Sequence, residues 1–325
     1  MLQQDPARRR LAIIAAVSAA ISLDACARTL HRPSQQPATG VIAELWQEPA
    51  NLEVRDLFNG PGGVELTPQS VTYSFVARKT SGKNPGYDVR DPQGRVWSVK
   101  LGEESQSEVT VSRVLWAVGF HQPPTYYVAR WTLSGGDVPE QPAGRFRPDV
   151  PGHDVAGDWS WYENPFIGSR PFAALVTVNL LLNNWDFKTV NNKIYMVTRG
   201  DGGKERRYVV RDVGGSLGKA RQPRFLSWFP FMRFHQGSKN NIDDFEAQGF
   251  VRAADGTTVD FDYRGIDDAL VNSVTPADLR WTGELLSRLS ERQWLDAFRA
   301  GGYTADESAR YIRKIREKIA QAVRS

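Results

Sequence analysis

The chain has 325 residues, of which 41% are hydrophobic and 24% are charged. This composition excludes an intrinsically disordered protein, and the length is sufficient for one large domain or two lobes with a buried core. The formal net charge is only +4, and outside the last helix the basic residues are scattered among acids, so nucleic-acid binding is not expected.

The chain begins with the features of an export signal. Three arginines at positions 8–10 precede the apolar run "LAIIAAVSAAISL", which is shorter than a typical membrane span. The run ends in "LDAC", a pattern typical of a bacterial lipoprotein signal in which Cys26, the only cysteine, becomes lipidated. We therefore expect residues 1–26 to be a lipoprotein-type signal peptide. The alternatives are a simple signal cleaved after Ala25 and an uncleaved anchor.

This interpretation implies a location and a tether. The protein would be exported to the cell envelope and held on a membrane by its N-terminal lipid, facing the periplasm or in the outer membrane if the source is Gram-negative. Residues 27–45 contain the polar, proline-bearing stretch "HRPSQQPATG", which predicts a flexible tether.

The next part of the chain predicts a β-rich lobe over residues 46–150. The segments "VTYSFVARKT", "GYDVRD" and "RVWSVKL" are separated by turn sequences and predict an antiparallel meander. A helix follows that places Glu108, Val111 and Leu115 on one face and ends at Gly119. The segment "TYYVARWTL" predicts one more strand.

A stretch rich in Gly and Pro, residues 134–157, predicts the boundary with a mainly helical lobe over residues 151–325. In this lobe "RPFAALVTVNLLLNN" predicts a buried helix, because its apolar residues nearly encircle the axis. Three later helices have start signals, and the last two of these are capping boxes. The signals are Thr275 with Pro276, Ser290 with Gln293, and Thr304 with Glu307. The predicted buried stripe of the final helix is Ile312, Ile315, Ile319 and Val323.

Polar residues cluster between these apolar elements. The segment "NNWDFKTVNN" supplies Asp186, Lys188 and Asn191 on a predicted loop, and the hairpin that follows it ends at Asp212. Because the hairpin returns the chain to the loop, the two carboxylates and the amide are expected to converge. Taken singly, such residues also have structural explanations, since Asp and Asn often cap turns and an acid often begins a helix.

The motifs resemble those of protein kinases. "DFKTVN" is similar to the DxKxxN catalytic loop, and "DVG" at 212–214 stands where kinases carry DFG. "VWSVKL" resembles the third strand of a kinase small lobe, with Lys100 as its lysine and Glu108 as the ion-pair partner on the next helix. Over residues 71–325 the order of motifs resembles the protein-kinase-like superfamily, including its HipA-type and secretory-pathway branches. The resemblance implies an α+β, two-lobed kinase-like fold with an antiparallel β-rich N-lobe and a helical C-lobe.

A closer resemblance links four segments to a group of bacterial proteins and implies no activity. The segments are "VKLGEE", "RVLWAVG", "NNWDFKTVNN" and "DAFRAGGY".

The superfamily resemblance implies a phosphotransferase that binds ATP or another nucleotide with Mg²⁺ and transfers phosphate to the hydroxyl of an acceptor, either a protein or a small molecule. Asp186 would accept or orient the acceptor hydroxyl, and Lys188 would steady the transferring phosphoryl group. Asn191 and Asp212 would supply oxygen ligands to Mg²⁺.

The resemblance also implies a phosphate-binding side of the site. Lys100, held by Glu108, would contact the other phosphates of the nucleotide. Gly82, Lys83 and Gly86, in "SGKNPG" between the first two strands, would cover the phosphates with backbone N–H groups.

The sequence also departs from the family pattern. Asn184 and Trp185 replace the His-Arg pair before the catalytic Asp, Val213 replaces the Phe of DFG, and neither GxGxxG nor APE is present. These departures put in question an activation segment and the recognition of protein substrates. Because an exported enzyme meets little ATP, one alternative is a catalytically inactive pseudokinase that serves as an envelope binding scaffold. Another is a serine hydrolase using Ser216, since "GGSLG" has the letters GxSxG.

Overall fold

The computed structural model describes residues 29–31, 33–69, 71–80, 84–135, 139–220, 237–263 and 267–325. The predicted signal peptide with Cys26, and the loop residues Gly82 and Lys83, lie outside these residues, so those assignments stay predictions. No helix within the described ranges combines the length and the apolar character needed to cross a bilayer.

The N-terminal region contains a seven-stranded sheet. Its strands are β1 (Thr72–Arg78), β2 (Gly86–Arg90), β3 (Val96–Leu101), β4 (Tyr126–Val128), β5 (Trp131–Ser134), β6 (Glu140–Gln141) and β7 (Gly144–Pro148). They lie in the order β4-β7-β3-β2-β1-β5-β6, and every pair is antiparallel except β1 with β5. The predicted meander of the first three strands is confirmed.

The segment predicted as one further strand forms two strands at different places in the sheet. The chain bends at Ala129 and Arg130, so that β4 pairs with β7 while β5 pairs with β1. Each half carries a buried aromatic residue, Tyr126 or Trp131, into the aromatic core of the sheet. Strands β4 and β5 are separated in the sheet by β7, β3, β2 and β1. One continuous strand could not place both rings in this core, and the prediction of one strand was wrong for this reason.

The Gly- and Pro-rich stretch predicted as a lobe boundary also contributes to the sheet. It contains β6, β7 and β8 (His153–Asp158), and β7 lies between β4 and β3. The sequence of β7, "GRFRP", places Phe146 between two arginines, and all five of its residues are buried. A strand with so few apolar residues resembles a loop in sequence.

The C-terminal region is built on helices and two small sheets. The eight helices of the described chain are α1 (Thr39–Ile42), α2 (Glu104–Ala117), α3 (Arg170–Leu181), α4 (Ile242–Ala247), α5 (Asp268–Val271), α6 (Pro276–Ser287), α7 (Glu291–Ala300) and α8 (Ala305–Arg324). β9 (Asn192–Thr198) pairs with β8 and with β10 (Lys204–Val210), and β11 (Val251–Ala254) pairs with β12 (Val259–Phe261). The predicted α+β class, with an antiparallel-rich sheet before a helical region, is confirmed.

The helix signals in the sequence are largely confirmed. Helices α6, α7 and α8 all begin with capping boxes. The box at Thr275 was not predicted, since the sequence indicated only a helix start there. In α8 the predicted stripe is correct except at its end, where Val323 is 38% exposed and Ala322 is buried instead. Lys318 is also fully buried in this helix, which its apolar periodicity did not indicate.

Two large apolar cores form most of the buried interior of the described residues. One core is the aromatic side of the seven-stranded sheet, and the other joins α2 to the helical region. The second core also includes Leu45, which is fully buried, and the chain before it forms α1. The last part of the segment predicted as a flexible tether is therefore folded, because an apolar residue there is buried in the main core.

Candidate active site

Lys100 lies at the centre of a cluster of carboxylates. Its Nζ is 3.0 Å from Glu108 Oε2, 2.9 Å from Asp212 Oδ2 and 2.6 Å from Glu104 Oε2. The two glutamates are four residues apart on α2 and so lie on the same helix face, while Lys100 reaches them from the end of β3. Burial alone would lower the pKa of Lys100, but the carboxylates of Glu108, Asp212 and Glu104 outweigh it and raise the pKa above its ordinary value.

Glu108 is held by two further cations. It is 1% exposed, and its Oε1 is 2.8 Å from both Arg145 Nε and Arg147 Nη2, on strand β7. Burial would raise the pKa of this carboxyl, but Arg145, Lys100 and Arg147 together lower it to about 2. The predicted ion pair is therefore one part of a buried network of three cations around one glutamate.

The arginines and Glu104 were not among the predicted site residues. Arg145 and Arg147 fall in the stretch whose Gly and Pro content indicated a linker, and only their alternation with Phe146 could have indicated a strand. Glu104 is further tied by Asn84 Nδ2, at 2.7 Å, and by Lys239.

The second carboxylate and the amide are joined through the backbone. The amides of Arg211 and Asp212 donate to the carbonyl of Asn191 at 2.9 and 3.0 Å, and Asn191 Nδ2 donates to the carbonyl of Asp186 at 3.0 Å. The end of hairpin β9–β10 therefore lies directly against the polar loop. The structure brings Lys100, Asp212, Asn191 and Asp186 into one continuous chain of contacts.

The loop that carries Asp186 and Lys188 is shaped by a buried amide pair. Asn184 is 1% exposed, donates to Asn179 Oδ1 of α3 at 2.7 Å and accepts from the Asp186 amide at 3.1 Å. Asp186 Oδ1 in turn lies 2.7 Å from Lys188 Nζ. Asn184 thus has a structural part in fixing the loop that carries Asp186.

Gly215 allows the segment after Asp212 to approach this loop closely. A Cβ on Gly215 would lie 3.1 Å from Asp186 Cβ and 3.3 Å from Asn184 Oδ1, tighter than most side chains tolerate. A larger residue at position 215 would therefore require Asp186 or Asn184 to shift.

Of the three residues predicted to cover the phosphates between β1 and β2, the structure describes only Gly86. Gly86 is the first residue of β2 and lies opposite Lys100 in the ladder with β3. Asn84, which precedes it, contacts Glu104. The loop therefore returns to the sheet beside Lys100.

The oxygen atoms of Asn191, on the loop, and Asp212, at the end of the hairpin, fit a magnesium ion that also binds the phosphates of a nucleotide. The Asp212 carboxylate is 41% exposed despite its contact with Lys100, and the Asn191 amide nitrogen is engaged by Asp186, which leaves its oxygen end for a ligand. Mg²⁺ takes oxygen ligands and is commonly held by one or two carboxylates together with substrate phosphates. Among the residues that the structure describes, no group of three or more His, Cys, Asp or Glu side chains could hold a metal.

Lys318 supports the same loop from the last helix. Its Nζ donates to the carbonyl of Leu181 at 3.0 Å and to Asn183 Oδ1 at 2.7 Å, and it lies 4.2 Å from the ring centre of Phe245. Asn183, with a φ of 55°, donates onward to the carbonyl of Gly218. Lys318 thus links α8 to both segments that carry the site.

Removal of the Lys318 amine should change how stability depends on pH. Burial, then the nearby Lys314, lower the pKa of Lys318 well below its ordinary value of 10.5. Between the lowered pKa and 10.5 the folded state holds fewer protons than the unfolded state, so this residue makes stability rise with pH, by at most about 1.4 kcal/mol per pH unit. We expect Lys318→Met to flatten that rise in denaturant unfolding between pH 7 and 10. An equally steep rise in this variant would contradict the assignment, and Lys204→Met, at an exposed position, serves as the matched control.

Ser216 lacks the surroundings of a hydrolase nucleophile. It is fully buried, its Oγ has no hydrogen-bond partner, and the residues that follow it up to 220 form no helix. A nucleophile elbow requires a strand-to-helix turn that exposes the serine. His235, the nearest following histidine, lies outside the described residues. The described geometry therefore gives no support to the hydrolase alternative.

No family model and no curated protein matches the chain. Among solved structures, the chain is similar to the crystal structure of the Helicobacter pylori proinflammatory kinase CtkA, with a TM-score of 0.46 and 12% sequence identity. The match covers 78% of this chain and 97% of that chain.

Proposed function

We propose that this protein is a kinase-like phosphotransferase that binds a nucleoside triphosphate with Mg²⁺ and transfers a phosphoryl group to a hydroxyl. One observation carries the proposal: Lys100 on a strand contacts both Glu108 on the next helix and Asp212 at the end of a distant hairpin. In protein kinases, phosphoryl transfer requires a strand lysine paired with a glutamate on the next helix, and a nearby aspartate that holds Mg²⁺.

Each residue of the cluster has a chemical task in this proposal. Bound Mg²⁺ would neutralise charge on the phosphates, with Asp212 and Asn191 as its protein ligands. Lys100, held by Glu108, would contact phosphate oxygens, and Lys188 would offset charge on the transferring group. Asp186 would orient the acceptor hydroxyl and take its proton.

A scaffold without catalysis is the second candidate, and one observation favours it. Lys100 is shared by three carboxylates, and the third, Glu104, is itself held by Asn84 and Lys239. A phosphate must compete with all three for the ammonium group. A pseudokinase could keep this network purely as a structural core.

An assay of phosphate release or transfer distinguishes the phosphotransferase from the scaffold. The full chain is incubated with Mg²⁺ and each γ-labelled nucleoside triphosphate, and release or transfer of the label is followed over time. The phosphotransferase proposal expects Mg²⁺-dependent label release or transfer that is lost in Asp212→Asn. Nucleotide binding with no release or transfer from any of the triphosphates would instead favour the scaffold.

Export and lipid anchoring are a separate proposal that rests on the sequence of residues 1–26. We expect metabolic labelling with a fatty acid to mark the wild-type chain in the membrane fraction and to leave Cys26→Ser unlabelled. Equal labelling of both chains would contradict the assignment of Cys26.

A further inference from the structure

A cavity of about 540 Å³ adjoins the loop that carries Asp186 and Lys188. One wall is formed by Lys188 and the two residues after it, including Val190, which is 63% exposed. The opposite wall includes Ser160 and Glu163. The cavity therefore combines a cation, an apolar surface and polar groups directly beside the proposed transfer site.

The protein's own N-terminal segment lines the same cavity. Thr29 and His31 contribute to it, and the His31 amide donates to the carbonyl of Tyr162 at 2.9 Å. His31 also forms a parallel β-bridge with Glu163. Residues 29–31 thus lie as a short extended strand along the cavity edge, attached through backbone groups.

We propose that this cavity is the acceptor site, that it takes an extended hydroxyl-bearing polypeptide, and that the N-terminal segment, residues 29–31, pairs in cis with the backbone edge that such a polypeptide would use. The proposal rests on the proposed phosphotransferase function. Pairing with a backbone edge is a general mode of peptide recognition, in which main-chain hydrogen bonds give affinity and side-chain pockets give selectivity. The bridge at Glu163 supplies the edge, and Val190 supplies an apolar contact.

The group transfer would use Asp186, whose Oδ1 lies 2.7 Å from Nζ of the cavity residue Lys188. The bond between the γ-phosphorus and the oxygen of the departing nucleoside diphosphate breaks, and a new bond forms between that phosphorus and the hydroxyl oxygen of the polypeptide. The hydroxyl proton passes to Asp186. Thr29 is the hydroxyl that the N-terminal segment brings to this cavity, and its product would be a phosphothreonine near Lys188.

Peptide binding tests the proposal without any need for catalysis. The probe is a fluorescent peptide of residues 27–36, "ARTLHRPSQQ", and binding is measured by anisotropy. In the full chain, His31→Pro removes the amide that donates to Tyr162 and should release the segment from the cavity. Because the tethered segment competes at a high effective concentration, we expect this variant to bind the peptide at least about tenfold more tightly than the wild type does.

Two further variants are controls for the peptide binding of His31→Pro. Gln35→Pro places a proline at an exposed position whose amide makes no backbone hydrogen bond within the described chain, and it should bind as weakly as the wild type. Adding Val190→Asp to His31→Pro should remove the gained affinity. Circular dichroism confirms that the variants are folded. Peptide binding that is absent from the His31→Pro variant, or insensitive to Val190→Asp, would overturn the proposal.

Adding Mg²⁺ and a nucleoside triphosphate separates this proposal from the function on which it rests. Phosphate on the threonine of the bound peptide, detected by mass spectrometry, supports both. A peptide that binds but is never phosphorylated supports the groove and counts against phosphoryl transfer. Transfer to another acceptor, together with no peptide binding, supports the enzyme and overturns the groove.

Discussion

Replacing Glu108 by glutamine is expected to destabilise the folded protein by about 3–5 kcal/mol. The carboxylate is 1% exposed and is the common partner of Arg145, Arg147 and Lys100. Glutamine keeps the size of the side chain but removes its charge, so three cations are left close together in a buried region. Breaking a buried charge network by removing one partner is costly because the remaining charges stay desolvated.

Denaturant unfolding at neutral pH measures this effect directly. Glu103→Gln, five residues earlier and with a side chain that is 63% exposed, is the matched control and should change stability by less than about 0.5 kcal/mol. If Glu108→Gln were as stable as this control, the buried network would have no energetic importance.

The contribution of ionised Glu108 to stability should depend on pH in a defined direction. The pKa of Glu108 is about 2 in the folded protein, below its ordinary value of 4.5. The stabilisation is therefore present in full above pH 4.5 and is lost as the pH falls through 2. Glu108→Gln should lack this part of the acid dependence.

Replacing Asp186 by asparagine is expected to slow phosphoryl transfer by about 10²- to 10⁴-fold without weakening nucleotide binding. Asparagine fits the same space but cannot take the proton of the acceptor hydroxyl. Asp186 lies against Lys188 and Gly215 and makes no contact with Lys100 or Glu108, so the phosphate-binding side should stay intact. The substitution therefore separates binding from chemistry.

Single-turnover transfer and nucleotide affinity are measured on the same preparation. Asp158→Asn, which disrupts a surface ion pair with Lys193, should behave as the wild type does in both measurements. Equal transfer rates in Asp186→Asn and the wild type would remove Asp186 from the mechanism, and a parallel loss of nucleotide binding would indicate a structural part instead.

The site could be predicted where its chemistry follows from local order along the chain. Asp186 and Asn191 share one loop, Asp212 ends the hairpin that follows, and Lys100 precedes the helix that carries Glu108. Local start signals also predicted the first residues of α6, α7 and α8, because these depend on interactions within a few residues. The order of loop and hairpin therefore predicts that Asp186, Asn191 and Asp212 converge, whereas the pair of Lys100 with Glu108 follows from the resemblance to protein kinases.

The missed features depend on contacts between distant segments. Strand β7 reads as a polar linker, yet its arginines are buried because Glu108 arrives from another element to neutralise them. Lys318 interrupts an apolar stripe and is buried because the carbonyl of Leu181 and the amide of Asn183 receive its N–H groups. Burial of a basic side chain is decided by partners that no local pattern identifies.

The most direct test of the proposed nucleotide site is calorimetric titration of a nucleoside triphosphate into the full chain, with and without Mg²⁺. The account predicts saturable one-site binding that requires Mg²⁺ and disappears in both Lys100→Met and Asp212→Asn. Absence of saturable binding for ATP, GTP, CTP and UTP, or binding that persists unchanged in both variants, would contradict it.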